Sequence, residues 1–397
     1  MTEMLAPGQW AYLDNNATTR TDQRVVEAML PFYRENFANP SSMHDLGQAA
    51  ADAVRVARIQ ICSLLGAGRE SEIIFTSGGT ESNNTAILSA LETQQARNEI
   101  ITSFVEHPAV LAVCAHLEQT GKARIHRIPV DWNGSLKLDA YRAALSEKTA
   151  LVSMQWANNE TGVLFPVETL AAMAHEVGAL FHCDAVQAAG RVALNVQNAK
   201  VDMLSISAHK MHGPKGIGAL YLRNGVRLCP LIQGGRQERG KRAGTENTPA
   251  IVGFGVAAEL AAHALRHEMK RVELLRNRLE REILRRVPGS LPIGYRSDRL
   301  PNTLNIAFEE IEADSILAIL NRASIAASSG SACSTGSMEP SHVLRAMKVP
   351  FSHLRGAVRF SLSRENSNED IDRVLEVLPQ AVRDLQALSA PMEAVYD

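Results

Sequence analysis

A chain of 397 residues, 45% hydrophobic and 21% charged, has the composition of a soluble globular protein with a large core, long enough for two domains or for one large domain carrying a smaller one. A formal net charge of -2 leaves no electrostatic footprint for nucleic acid or an anionic membrane surface. No window reaches the ~18 uninterrupted apolar residues of a membrane span, and residues 1–10 lack the basic-then-apolar pattern of a signal peptide.

Residues 12–19 read as a polar turn cluster, 25–33 as a helix, 39–44 as a loop, and 47–65 as an Ala-rich helix ended by Gly66. The Asx- and Ser-rich stretches suit plain turns and suit hydrogen bonding to a ligand equally well. From Ile73 a strand–helix alternation sets in. Residues 72–76 are a strand, 77–80 a tight turn and 81–91 a helix. Residues 99–104 are the next strand, with Glu106-His107-Pro108 at its end and a helix through Leu117. The strand 151–156 runs into Asn158-Asn159-Glu160, and the strand 179–183 into Asp184-Ala185-Val186-Gln187. An apolar, alternating run over 201–207 reads as a buried strand ending in Ser207, His209 and Lys210, and a Gly/Pro turn leads to a further strand over 217–222. Repeated βα units predict an α/β fold, with a mostly parallel mixed sheet flanked by helices, and the turn at Gly216 predicts one antiparallel member. The tract 250–287 reads as a long amphipathic helix with pairs such as Glu268 and Arg271. It bridges into a smaller α+β domain with strands near 303–306, 323–327 and 357–362 and a closing helix over 371–388. The expected division is a large domain over 15–260 and a small one over 1–14 and 261–397, the latter carrying a Cys loop at about 327–340.

In an open parallel sheet, ligands bind beyond the carboxyl ends of the strands. Gly79, Thr80, His107, Asn159, Asp184, Gln187, Ser207, His209 and Lys210 all fall there. The turn before Glu81 opens a helix, so its N–H groups can hold a phosphate, although many strand–helix turns need glycine for geometry alone. A buried Asp184 calls for a cationic partner, which the protonated nitrogen of a pyridine ring would supply. His107 suits stacking on such a ring, or a satisfied place in the core. Lys210, at the mouth of an apolar strand, reads as a Schiff-base amine or as a solvated strand cap. A phosphate cup, an acid and a lysine together specify pyridoxal 5'-phosphate better than a nucleotide, since the Walker and Rossmann patterns are absent.

The five cysteines (62, 114, 183, 229 and 333) form no CxxC pair, which excludes an obvious zinc site or disulfide framework and points to a reducing, cytoplasmic setting. Cys62, Cys114 and Cys183 read as small buried hydrophobes. Cys333 sits among Ser, Gly, Ala and Thr, which suggests a nucleophile, with an incidental surface cysteine as the competing reading.

These motifs resemble one family. Tyr12-Leu13-Asp14-Asn15-Asn16-Ala17-Thr18-Thr19, Asn39-Pro40-Ser41-Ser42, Ser77-Gly78-Gly79-Thr80-Glu81-Ser82-Asn83-Asn84, Glu106-His107, Asn158-Asn159-Glu160, Asp184-Ala185-Val186-Gln187, Ser207-Ala208-His209-Lys210, Arg242-Ala243-Gly244-Thr245 and Ser329-Gly330-Ser331-Ala332-Cys333 are similar to those of the NifS/IscS-type cysteine desulfurases, from about residue 11 to about residue 375. The resemblance implies a fold-type-I pyridoxal-phosphate homodimer with its sites at the subunit interface. By position, Lys210 would carry the cofactor, Asp184 pair with the ring nitrogen, and His107 stack on the ring and shuttle protons. Gln187 and Asn159 would contact the ring hydroxyl. Thr80, beside Gly79, would hold the phosphate with Ser207 and His209, and Thr245 would reach over from the partner. Arg359 would bind the carboxylate of L-cysteine, an ordinary strand-end ion pair being its other reading. Cys333 would take the sulfur, leaving alanine, and pass it to an iron–sulfur scaffold protein. No firm metal site is expected, although Cys333 could contact a nascent cluster through its persulfide. The flanks Gly244-Thr245-Glu246-Asn247 and Cys333 to His342 look more like the nitrogenase-associated NifS branch than the housekeeping branch. A housekeeping iron–sulfur cluster desulfurase, a selenocysteine lyase or an aminotransferase on the same fold, and an iron–sulfur scaffold or binding protein holding metal through Cys333 and the histidines, are the alternatives.

Overall fold

Seven short runs, most of them rich in Val, Ile, Leu and Met, pair into one sheet in the order Ile73–Thr76, Gly218–Leu222, Met203–Ser207, Leu180–Asp184, Thr149–Gln155, Glu99–Ser103, Arg124–Ile128. The structure, a computed structural model, describes residues 10–329 and 340–389. Cys333 therefore lies outside the described residues.

All neighbours in this sheet are parallel except Gly218–Leu222, which runs antiparallel to both of its own. The reversal is made at Gly216, whose φ of +80° belongs to the left-handed region that glycine tolerates. Every residue of Thr149–Gln155, Met203–Ser207 and Gly218–Leu222 is buried. That explains why these strands read as nearly unbroken apolar runs. One face packs Ile101, Val152, Phe181 and Leu204 under helices. The other packs Ile74, Ile100, Leu151 and Met203.

Sequence reading passed over the edge strand Arg124–Ile128 and the helices Leu138–Ala144 and Val167–Glu176. The strand is Arg-Ile-His-Arg-Ile, and its basic residues blunt an exposed edge instead of filling a core. Two predicted helices are each two helices. The stretch 25–33 breaks into Gln23–Met29 and Pro31–Arg34, because Pro31 has no N–H to continue the ladder. The tract 250–287 breaks at Glu268 into Thr248–His267 and Met269–Arg286. Thr248–His267 is long and apolar enough to cross a membrane, yet it packs into the core against Asp45–Leu65. Gly255 permits that approach, since a Cβ there would lie 2.5 Å from Ala57 Cα.

A second, antiparallel sheet has the order Ser328–Ser329, Ala357–Ser361, Thr303–Ala307, Leu291–Pro292. A separate apolar cluster, with Leu279, Ile283, Leu304, Phe308, Ile316, Phe360 and Leu378 among its members, joins it to the helices Met269–Arg286, Ala313–Arg322 and Asn368–Ser389. Ala11–Tyr12 pairs in parallel with Ile325–Ala326 and ties the beginning of the chain to this layer.

One polar ladder crosses the middle of the large sheet. His182 is fully buried, with Nδ1 2.9 Å from Ser153 Oγ and Nε2 2.9 Å from Ser205 Oγ on the two flanking strands. Burial pushes its pKa down to about 3, so the folded ring is neutral while an unfolded one protonates below pH ~6.5. Stability from this group is whole above pH ~6.5 and is lost as pH falls toward the folded value. Between pH 7 and pH 5 the parent should therefore lose about 2 kcal/mol more than His182→Gln, measured by urea unfolding at both pH values. Equal losses in the two proteins would exclude His182 as the source.

Candidate active site

The carboxyl ends of the parallel strands open into a cavity of about 310 Å³. Ser207 ends one strand, and the 3₁₀ turn Ala208–Lys210 carries His209 and Lys210 over its rim. Asp184 ends the next strand and Gln155 the one after, followed by Ala157 and Asn159. His107 stands at the start of the helix Pro108–Gln119, and Gly79, Thr80 and Asn83 lie in the first turn or so of Gly79–Thr93. Asn16, Ala17, Val186, Gln187 and Arg359 complete the wall.

Ten of the residues expected at the site thus line one cavity: Gly79, Thr80, His107, Asn159, Asp184, Gln187, Ser207, His209, Lys210 and Arg359. Thr245 is not among them; it is exposed, and its expected place was the partner's site. Cys333 is outside the described residues. Asn16, Ala17, Asn83, Gln155, Ala157 and Val186 line the cavity without having been singled out as site residues.

Lys210 does not simply meet apolar side chains. Its Nζ donates to the backbone carbonyls of Asn16 at 2.7 Å and Ala17 at 2.6 Å, so the polar turn near the chain start is its holder. Asp184 is 7% exposed and takes hydrogen bonds from two neutral donors, Asn83 Nδ2 at 2.6 Å and the Val186 N–H at 3.0 Å. His107 Nδ1 accepts from the Ala109 N–H at 3.1 Å, which puts the proton of the neutral ring on Nε2. Burial lowers its pKa; Asp184 opposes this, while Lys210 and His342 reinforce it. The ring is therefore neutral and presents one donor. His209 is held neutral likewise, pushed down to about 4 by burial and then by Lys210, Lys215 and Arg191, with Nδ1 3.2 Å from Thr18 Oγ1.

Gln187 is fixed at both ends of its amide. Nε2 donates to the Asn16 carbonyl at 3.0 Å, and Oε1 accepts from Arg191, which also holds the Asn15 carbonyl at 3.0 Å. Arg191 is a buried brace that sequence reading missed; its one signal is a lone arginine in an Ala/Val-rich run. Arg359, 2% exposed, lines the cavity and makes the ion pair of its second reading. It pairs with Asp14 at 2.8 Å and with the Asn159 carbonyl at 3.1 Å, while its buried Nε has no partner among the described residues.

The cavity suits pyridoxal phosphate. Gln155 Nε2 is buried without a hydrogen-bond partner among the described residues and borders the space a ring would fill. At Gly79 a Cβ would lie 2.7 Å from Val186 Cγ2, so only glycine lets the helix start close on the strand ends. The helix N-terminus, with Ser207 and His209 beside it, gives donors for a phosphate. Asp184, bonded only through neutral donors in these contacts, can answer a ring cation.

Residues 11–374 match the aminotransferase class-V family, and the chain belongs to it, a family of pyridoxal-phosphate enzymes. It is 61% identical to a cysteine desulfurase of Gluconacetobacter diazotrophicus over 378 residues, covering 95% of this chain and 94% of that one. It is 53% identical to the cysteine desulfurase NifS of Azotobacter vinelandii over 378 residues, with the same 95% and 94% covered. A solved NifS-like protein superposes with a TM-score of 0.88 at 38% identity, over 95% of this chain and 100% of that one. Within the family, the chain is a cysteine desulfurase.

The thiols of the described cysteines are all shifted toward the protonated form. Cys114 and Cys183 are buried as expected, and burial pushes the first to about 12 and the second well above its ordinary value. Cys62 is only half-buried, a departure from expectation. Its thiol donates to the Ala67 carbonyl at 3.3 Å, and burial raises its pKa too. Cys229 is shifted the same way, by burial first and then by Glu92.

Proposed function

We propose that this cysteine desulfurase transfers the sulfur of L-cysteine to Cys333, and that the sulfur goes on to an iron–sulfur scaffold protein, in particular one that serves nitrogenase metallocluster assembly. The reading rests on one observation above the others: a single cavity lined by Lys210, Asp184, His107 and Arg359, while the four described cysteines are all shifted toward the unreactive thiol. The name NifS carried by the Azotobacter relative supports the nitrogen-fixation role. We further read the chain as a cytoplasmic homodimer, with Thr245 serving the partner's site. The large domain is residues 15–260, and the small one is 1–14 with 261–397. The separate apolar cluster around the second sheet supports that division.

Pyridoxal phosphate, when bound, supplies an electron sink that lets bonds at the substrate Cα and Cβ break. Lys210 would hold the cofactor at rest; once released, its amine takes the proton from Cα and returns one. Asp184 keeps a positive charge opposite it favourable. Arg359, oriented by Asp14, would bind the substrate carboxylate. His107 would shuttle protons as a donor, since its backbone contact occupies Nδ1 and places the ring proton on Nε2. The Cys333 thiolate attacks the substrate sulfur. The Cβ–S bond breaks, the S–S bond forms, and Cβ takes a proton. L-cysteine and one thiol thus become alanine and one persulfide, with no external oxidant or reductant.

Incubating the cofactor-loaded protein with L-cysteine should release alanine and leave one extra sulfur on the peptide containing Cys333, read by mass spectrometry. Alanine release from L-selenocysteine alone would replace this reading with a selenocysteine lyase. A strain lacking the chain yet making fully active nitrogenase would remove the nitrogen-fixation role and leave the chemistry standing.

A further inference from the structure

Ser341 and His342 begin the element that follows residues 330–339, the helix His342–Ala346, and the chemistry above uses neither. Ser341 caps this helix, its oxygen accepting from the N–H of Val343 at 3.1 Å and of Leu344 at 3.3 Å. The same hydroxyl donates to Glu160 Oε2 at 2.6 Å. Glu160 is a fixed point. Its N–H and that of Thr161 both donate to Asn158 Oδ1 at 2.9 Å, and Asn305 Nδ2 holds its carbonyl at 3.2 Å. The residue before it, Asn159, provides the carbonyl that receives Arg359.

His342 makes a second tie. Its Nε2 donates to the backbone carbonyl of Glu106 at 2.9 Å, one residue before His107. Glu106 is fixed in turn, fully buried with its carboxyl 2.6 Å from Ser103 Oγ. A helix start needs only a cap. It has no need of a hydroxyl shared with a buried acid, nor of an imidazole reaching across to a catalytic loop. On the other side of residues 330–339, Ser328 and Ser329 pair with Arg359 and Val358. The chain on both flanks of the Cys333 stretch is therefore tied to residues that line the cavity or adjoin ones that do.

We propose that Ser341 and His342 are positioning residues, a two-point clasp on Glu160 and Glu106 that fixes where the Cys333 stretch rejoins the active-site wall and keeps His107 in register with it. The proposal deepens the desulfurase reading and rests on Cys333 and His107 acting as described above. Burial keeps the His342 ring neutral, so the tie is an ordinary N–H to carbonyl bond that sets geometry and not charge. A misplacement of about 1 Å between reacting groups can cost on the order of 10²-fold in rate.

The test compares His342→Ala, His342→Gln, Ser341→Ala and Ser341→Thr in the cofactor-loaded protein. The Gln amide can put an N–H where Nε2 stands, and Thr keeps the hydroxyl. The Ala variants should lower kcat for alanine release, and the rate of persulfide formation on Cys333, roughly 10–100-fold. KM for L-cysteine and the cofactor absorbance should stay as in the parent, and Gln and Thr should recover most of the rate. Parent-like kcat in both Ala variants overturns the clasp. So does a loss that Gln and Thr fail to recover, because that marks a merely structural role. If His342→Ala does not fold, His342→Asn, whose shorter amide cannot span the gap, takes its place against Gln. Failure of the underlying reading looks different: the parent itself would release no alanine, or would carry its sulfur on another cysteine.

Discussion

Lys210→Ala should leave a folded protein that loses both the yellow colour of its lysine-linked cofactor and at least about 10³–10⁴-fold in alanine release. The contacts of Lys210 separate its chemistry from its structural role. Nζ is held by the Asn16 and Ala17 carbonyls, and both belong to a turn with further ties of its own. The Asn16 carbonyl also receives Gln187, the Asn16 amide reaches the Asn159 carbonyl and Thr303 Oγ1, and the Thr19 N–H bonds the His209 carbonyl at 2.9 Å. Removing the amine therefore takes away the group proposed to link the cofactor and move the Cα proton, without dismantling the wall. Lys210→Arg is the control, since it restores a cation to the two carbonyls but no nucleophile. It should be as inactive as Ala. Absorbance and alanine assays read both effects, and an Arg or Ala variant within a few-fold of the parent rate would remove Lys210 from the chemistry.

What could be read from the sequence follows from where each signal comes from. The strands Thr149–Gln155, Met203–Ser207 and Gly218–Leu222 were legible because burial on both faces writes an apolar run into the chain. Asp184, Ser207 and His209 were legible because the polar ends of such runs fall together by topology. Arg124–Ile128 was not, since an edge strand spends its side chains on charge. Nor were Asn83 and Arg191, whose importance lies wholly in distant partners: Asn83 meets Asp184 from another helix, and Arg191 meets the Asn15 carbonyl from the chain start. No local periodicity encodes such contacts. Arg359 shows the same limit in milder form, because spacing could not say whether its fork was free or already shared with Asp14.

Cys333→Ala should keep the colour, keep the absorbance change when L-cysteine is added, and lose alanine release by on the order of 10³-fold or more. The remaining cysteines explain why no substitute thiol restores the reaction. An attacking thiol must be ionised to act, and every described cysteine is shifted the other way. Cys183 is on a central strand and Cys114 is buried under the sheet, each with burial as the first cause of its shift. The Cys62 thiol donates a hydrogen bond to a carbonyl in the turn after its helix, and Cys229 stands beside the carboxylate of Glu92. In the proposed mechanism the surviving half of the reaction depends on Lys210, Asp184 and Arg359 and on none of these thiols. Substrate should therefore still bind and still perturb the cofactor spectrum. The two halves are thus separable by two single substitutions: Lys210→Ala abolishes the spectral response together with the sulfur, and Cys333→Ala abolishes the sulfur alone. Persulfide found on any other cysteine of the Cys333→Ala protein, at a rate near that of the parent, would move the acceptor role to that residue.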